Sequence, residues 1–290
     1  MGTAAETAAA ESVIDAFRQA TELNRTTPAR LGNVLQFTTD NAADVLVSAD
    51  LHGHRRNYEA ILALADLDGH PRRHLIMQEV CHGGPTYDGG GCQSHRMLED
   101  VARLKVRYPE RFHFLLSNHE LSELTEFPIM KSRRMLNVMF RMGMKEAYGE
   151  QSDAVRLAAV DFIASCPVAA RINQSVFVSH SCPERADADC YDATILARPY
   201  TQRDLCEGGA VFKLVWGRDF RLQNAAAFAK TVNARCLIHG HEPCPMGYRI
   251  PNDKQVIIDC CSDNAYVALL PTDRELSHAE VVQCLKRLDT

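Results

Sequence analysis

Five short stretches of this chain each place an oxygen or imidazole donor just beyond an apolar run. "DVLVSADLHGH" carries Asp50 and His52, "HLIMQEVCHGGP" carries Glu79 and His82, and "RFHFLLSNHE" carries Asn118, His119 and Glu120. "SVFVSHS" carries His180, and "ARCLIHGHEP" carries His239 and His241. Singly these are weak signals: Asp-x-His occurs in ordinary turns, Asn-His-Glu can cap a helix, and His-Gly-His can be a turn. Delivered together to strand ends, they read as a metal site. Imidazole suits zinc, iron or manganese, while carboxylate and amide oxygen suit manganese or magnesium. There is no thiolate-rich set, so a structural zinc site is the poorer reading. Two divalent ions ~3.5–4 Å apart clamp a phosphoryl group and generate hydroxide at neutral pH. The other common phosphate device, a G-x-x-x-x-G-K-[ST] loop, does not occur in the chain.

The elements that must position these donors alternate in type. Strand-like runs at 44–50, 74–79 and 111–118 are separated by helix-period segments at 55–67 and 94–108. Further on, a Met- and Arg-rich helical region is expected at 129–147 and helices at 153–166 and 224–232. The runs "VAARI", "SVFVSH", "ARCLIHGH", "QVIIDC" and "AYVALLP" make the second half strand-dense. The pattern predicts an α/β protein of layered helices and sheets, with chemistry in loops at the carboxyl ends of strands. Without a repeat, low-complexity tract or Pro/Gly-rich linker, the expectation is a single domain, with a core over about 44–270. Flanking helices are expected over about 6–23 and 278–288.

Composition narrows the function classes. The chain has 290 residues, 46% hydrophobic and 24% charged, with a formal net charge of −5. That balance argues against a general nucleic-acid binder, which presents a basic face. No apolar run approaches the ~18 residues of a membrane span. The first twenty residues are Ala-rich and acidic, unlike a secretory signal. The 11 cysteines are odd in number and include no C-x-x-C, so reduced thiols and a cytoplasmic location are expected.

The ordered set resembles the calcineurin-like metallophosphoesterases, and most closely the PPP-type serine/threonine phosphatases. "ADLHGH" is similar to that branch's G-D-I-H-G, and "HFLLSNHE" to its L-L-R-G-N-H-E. "CPVAARINQSVFVSHS", "LVWGRD" and "IHGHEPCPMGY" resemble its later motifs, and the resemblance runs from about Asp44 to Leu270. It implies an α-β-β-α fold, a layered β-sandwich with flanking helices, and two divalent ions: manganese first, iron or zinc otherwise. Asp50 and His52 would hold one ion, and Asn118, His180 and His241 the other. A strand-end acid, Glu79 or alternatively Asp88, would bridge them. His119 would protonate the leaving alkoxide as general acid. Arg218, or Arg221 as fallback, would grip phosphate together with Asn118.

The chain departs from the resemblance at one place. The family's G-D-x-V-D-R-G stands here as "QEVCHGG". Glu79 takes the bridging aspartate, His82 the second aspartate and Gly83 the arginine. In the family the second aspartate orients the general-acid histidine, so His119 is expected to lose that partner, while His82 is free to bond a substrate oxygen or to become an extra ligand. The longer glycine-rich loop 83–92 is expected either to close over substrate or to bring in Asp88. The functional expectation is hydrolysis of phosphate monoesters, with a phosphoprotein as substrate and no nucleic acid or membrane as partner; a regulatory subunit is not indicated either way. Hydrolysis of small phosphate esters or dinucleoside polyphosphates is the alternative. A phosphatase-like domain that binds without turnover is the third reading.

Overall fold

Strand alternation decides which side of each sheet faces which layer. In the computed structural model, which describes residues 4–289, fourteen strands occur in chain order among the described residues. They are β1 (Arg30–Leu31), β2 (Val34–Phe37), β3 (Asp44–Val47), β4 (Arg73–Gln78), β5 (Phe112–Leu115), β6 (Met130–Lys131) and β7 (Arg134–Met135). They continue as β8 (Ala169–Ile172), β9 (Val176–Ser179), β10 (Cys236–His239), β11 (Tyr248–Asn252), β12 (Gln255–Ile258), β13 (Tyr266–Pro271) and β14 (Leu285–Arg287). The α-helices are α1 (Ala4–Arg25), α2 (Arg55–Ala65), α3 (Ser94–Arg107), α4 (Asn118–Thr125) and α5 (Leu136–Tyr148). They continue as α6 (Ser152–Ser165), α7 (Gln202–Leu205), α8 (Ala210–Trp216), α9 (Leu222–Thr231) and α10 (His278–Gln283).

One sheet runs β14-β13-β3-β4-β5 and the other β1-β2-β8-β9-β10-β12-β11. Val45, Val47 and Ile76 of the first pack with Val178, Ile238 and Ile258 of the second, filling the space between the sheets. Their neighbours Leu46, Leu75 and Met77 point the other way, into the layer shared with the helices. Each such fully buried aliphatic side chain contributes roughly 1.5–3 kcal/mol, so the register of these strands is strongly specified. On the outer face Phe17 of α1 meets Phe162 of α6 at 5.7 Å. The result is the α/β arrangement of layered sheets with flanking helices that the sequence pattern predicts.

This topology aims the donors at one place. The parallel strands β3, β4 and β5 end side by side, and so do β9, β10 and β12 in the facing sheet. Each carboxyl end is followed within a few residues by one of the five donor stretches or, after β12, by Asp259.

Two elements differ from expectation. The helix expected over 278–288 ends at Gln283, and Leu285–Arg287 pairs antiparallel with β13. The open edge of β13 offers hydrogen bonds that a further helical turn would forgo. The helical region expected from 129 starts only at Leu136, because 130–135 forms a β6-β7 hairpin. Its tip residues Ser132 and Arg133 have φ of 50° and 63°, which no helix interior accommodates. Asn137 anchors the hairpin base by accepting from Ile129 N–H at 2.9 Å.

Candidate metal centre

Glu79 directly follows β4 and is buried. Its Oε1 lies 3.4 Å from His180 Nε2 and 3.9 Å from His119 Nε2, and its Oε2 lies 3.6 Å from His52 Nε2. Among the described residues, two groups can hold a cation: His52, Glu79 and His119, and Glu79, His180 and His241. Glu79 belongs to both. Asn118 completes the second group, with its Oδ1 2.7 Å from His180 Nε2 and 3.1 Å from His241 Nδ1. Asp50 lies beside it, with Oδ1 3.9 Å from His180 Nδ1 and accepting from His241 N–H at 2.9 Å.

Two of the imidazoles are fixed from behind. His52 Nδ1 donates to Cys81 C=O at 3.0 Å, which leaves Nε2 bare toward Glu79. His180 Nδ1 donates to Gln78 Oε1 at 3.0 Å, and Gln78 itself donates to Ser48 C=O. Such outer partners set which ring nitrogen is free to ligate. The backbone bends sharply here: His52, Glu79, His82 and His241 all have positive φ, between 44° and 69°. Strain of this kind in non-glycine residues concentrates at functional sites. Gly240 is required beside His241, because a Cβ there would lie 2.4 Å from Asp50 Oδ1.

The electrostatics call for a cation. Burial, followed by the neighbouring Glu79, raises the Asp50 carboxyl well above its ordinary range, and burial pushes Glu79 up to about 8. Burial and the surrounding imidazoles hold His119 and His241 well below the usual histidine value, and burial lowers His180. These three rings therefore favour the neutral form, with lone pairs to offer. Glu79 Oε1 and His241 Nε2 are buried without any hydrogen-bond partner. An unsatisfied buried oxygen and nitrogen beside crowded carboxylates is unfavourable in a dry site, and divalent ions remove each of these costs. The donor set fits two such ions.

Of the residues singled out in the sequence, Asp50, His52, Glu79, Asn118, His119, His180 and His241 converge. His239 does not: its Nδ1 lies 3.1 Å from Ser179 C=O, and it joins neither group. Glu120 is no ligand either. It accepts from Val80 and Cys81 N–H at 3.0 and 2.9 Å, and so fixes the turn that carries Glu79. Asp88 is exposed on a loop whose Gly89 and Gly91 N–H groups bond to Glu146 of α5. That loop is fastened back onto the helix layer rather than over the metal groups.

His82 corrects an expectation. Expected to reach a substrate oxygen, its side chain is wholly buried and both ring nitrogens are engaged. Nδ1 lies 3.0 Å from His119 Nδ1, and Nε2 2.7 Å from Glu123 Oε1. The group directly behind His119 is thus an imidazole rather than a carboxylate, with Glu123 one ring further back. Gly83 is glycine for a steric reason: a Cβ there would meet His52 C=O at 2.3 Å. Arg218 stands at the rim, ion-paired with Glu242 and with Nη1 3.5 Å from His241 C=O. The fallback Arg221 is held by Asp187 and Asp219 and is not at the site.

The sequence reading missed Gln78, Glu123 and Trp216. Trp216 ends α8 and packs edge-on against His241, with centroids 6.0 Å apart. It also lines a groove with Glu184, Arg185, Phe212 and Lys213. Its signal lay in "LVWGRD", where only the arginine was followed up. All 11 cysteines are free, and none joins a metal group among the described residues.

No protein-family profile matches the chain. Among curated proteins it is 22% identical over 235 residues to a probable serine/threonine-protein phosphatase of Encephalitozoon cuniculi (strain GB-M1). That match covers 76% of this chain and 47% of the relative, so the chain spans about half the length of the curated protein it matches. Among solved structures it is similar to a Saccharomyces cerevisiae serine/threonine phosphatase described as similar to human phosphatase PP5. The TM-score is 0.68 at 16% identity, over 97% of this chain and 90% of that one. A cold-active protein-tyrosine phosphatase of a psychrophilic Shewanella species gives a TM-score of 0.58 at 14% identity, over 92% and 84%. No helix among the described residues is long and apolar enough to cross a membrane.

Proposed function

We propose that this chain, a PPP-type metallophosphoesterase in fold, is a metal-dependent phosphatase acting on phosphate monoesters of proteins. The observation that carries the reading is the single buried carboxylate of Glu79, common to a His52/His119 pair and a His180/His241 pair. An acid common to two donor groups can hold two ions close together, as a binuclear centre needs; His119, beside that acid, is kept for proton transfer in this reading. Glu79 rather than Asp88 is the bridging acid in this reading. Asp50 and His52 would hold one ion, and Asn118, His180 and His241 the other, with manganese the first candidate. When bound, the ions supply Lewis acidity toward phosphoryl oxygens and activate water as the nucleophile.

The chain's own residues do the rest. His119 turns its Nε2 toward Glu79, the ring position that would carry a proton to the oxygen that leaves. The Asn118 amide oxygen is turned to His180 and His241, which leaves its N–H groups for a phosphoryl oxygen. Arg218 exchanges Glu242 for a phosphoryl oxygen, using its planar fork. The buried walls exclude bulk water and so strengthen each of these contacts.

The groove lined by Trp216 favours a peptide over a small ester. Trp216 stands between it and His241, its walls are both apolar and charged, and it suits residues flanking a phosphorylated side chain. The named relatives include a serine/threonine and a tyrosine phosphatase, so both phosphopeptide types belong in the test. The test is metal content per chain after purification with excess Mn²⁺ and gel filtration, followed by phosphate release. About two ions per chain and turnover of phosphopeptides are expected. Turnover only of a dinucleoside tetraphosphate or a small ester would reassign the substrate. Near-zero metal would leave a phosphatase-like binding domain.

A further inference from the structure

Behind His119 lies a buried chain of groups that the phosphatase reading does not use. Glu123 Oε1 is 2.7 Å from His82 Nε2, and His82 Nδ1 is 3.0 Å from His119 Nδ1. The side chains of Glu123 and His82 are excluded from solvent. The order of donors follows from chemistry. A carboxylate only accepts, so the His82 proton sits on Nε2. His82 Nδ1 is then bare and accepts the Nδ1–H of His119. His119 Nε2 is thereby the one ring position left to face the metal groups.

The frame around this chain is built. Asn137 Nδ2 donates to Glu123 Oε1 at 2.9 Å, and Arg141 Nε stands 4.0 Å from Oε2. His82 N–H donates to Ser94 Oγ at 2.9 Å, and Phe140 packs edge-on against the His82 ring at 5.5 Å. The geometry also explains the substitution at position 82. Histidine Nδ1 and an aspartate Oδ both lie one bond beyond Cγ. An aspartate at 82 would therefore put its oxygen where the His82 Nδ1 now sits. Here an imidazole stands in that place, and the carboxylate has retreated one ring width to Glu123.

We propose that Glu123 and His82 are positioning residues for His119, a relay that fixes its tautomer and aims its Nε2 at the leaving oxygen. The inference rests on the phosphatase reading for its kinetic consequence, but the tautomer can be read without turnover. In the step served, His119, bare at Nε2 at rest, takes a proton there from solvent and gives it to the departing alkoxide oxygen as the P–O bond breaks, while water supplies the new oxygen on phosphorus and releases its own proton to solvent. His119 is left neutral, with its Nδ1–H still bonded to His82.

The kinetic test compares p-nitrophenyl phosphate, whose leaving group needs little proton help, with an alkyl phosphomonoester, whose leaving group needs it fully. Glu123→Gln preserves shape and a contact to Asn137. It is expected to lower kcat for the alkyl ester by about 10–100-fold, up to the lower end of general-acid contributions, with KM unchanged. For p-nitrophenyl phosphate the loss is expected to be under about threefold, because proton transfer contributes little to that step. The double variant His82→Asp/Glu123→Gln puts a carboxylate directly behind His119 and is expected to restore the alkyl rate. Position 82 has φ of 64°, which aspartate tolerates better than most residues. Equal losses on both esters, or no loss, would overturn the relay.

If the wild-type protein hydrolyses neither ester, the phosphatase reading fails, and ring ¹⁵N spectra of histidine-labelled, metal-free protein still decide the relay. His119 should show a protonated Nδ1 and a bare Nε2 in the wild type and a mixed population in Glu123→Gln. An unchanged His119 spectrum would overturn the proposal.

Discussion

The two pockets that share Glu79 are built differently. The inner one, of Glu79, Asn118, His180 and His241, is buried throughout, with two donors set directly on carboxyl ends of strands in facing sheets. The outer one takes its imidazoles from His52, on a tight turn of φ 44°, and from His119 in the first turn of α4; both keep some exposure. Water can satisfy the outer imidazoles, whereas His241 Nε2 in the inner pocket has no hydrogen-bond partner. On the proposed reading the inner pocket would hold its ion more tightly than the outer one. In that reading one acid would serve a tight and a loose ion together.

Removing the shared acid should have the largest effect. Glu79→Gln keeps the shape and removes the charge common to both pockets. Both ions should be lost on gel filtration, and kcat/KM should fall by on the order of 10³-fold, the upper range for a single electrostatic group. Retention of one tightly held ion in elemental analysis would mean the pockets do not share Glu79. Next in size is the contrast between His241→Ala and His52→Ala. The first should leave less than about half an ion per chain and the second about one, since the inner pocket keeps its full donor set in the second case. Equal stoichiometry would erase the distinction between the pockets.

The inner pocket was legible in the sequence for a physical reason. Its donors follow continuous apolar runs, and such runs read as buried strands whose ends hold chemistry. The sandwich came from the family resemblance: the continuous apolar run Val45–Val47 says only that the strand is buried on both faces, and the structure divides it between two cores. What surrounds His119 was not. Gln78 looked like one more strand residue, and its bond to His180 spans 102 positions. Glu123 did leave a signal: it stands four residues after His119, on the same face of α4. Nothing in the chain said that His82 would fill the gap between them, because that depends on where two separate loops meet. The hairpin at 130–135 was hidden by methionines at helical spacing, and only the positive φ at Ser132 and Arg133 overrides that pattern.

Buried imidazoles away from the metal groups provide a control. His74 and His113 lie 3.1 Å apart, stacked beside Phe37. Burial lowers both, and Lys105 adds to the effect on His113, while Arg111 opposes charge on His74 against Asp44 and Glu110. In the unfolded chain these rings protonate near 6.5; in the folded state they resist. Their contribution is present above that value and is lost as pH falls below it, by at most about 1.4 kcal/mol for each ring over each pH unit. The Tm of metal-free protein should therefore drop between pH 7 and pH 5. His113→Phe should make the drop shallower, since no metal or substrate is involved. An unchanged slope would place the acid sensitivity wholly in the two pockets.

The smallest effect belongs to the rim. Arg218 is half-exposed and paired with Glu242, the residue after His241. An ion pair this open is worth about 0.2–1 kcal/mol, so phosphate can take the guanidinium from Glu242 at little cost. Glu242→Gln removes the competitor and should lower KM for a phosphopeptide by up to about fivefold, the factor that such a pair's energy allows. The same variant should leave metal content and kcat unchanged, because Glu242 belongs to neither pocket. Arg218→Lys should raise KM, since an ammonium lacks the fork that holds two oxygens at once. If Glu242→Gln instead removed an ion, the rim and the outer pocket would be one electrostatic unit, and the looseness assigned to His52 would have to be shared with the Arg218 pair.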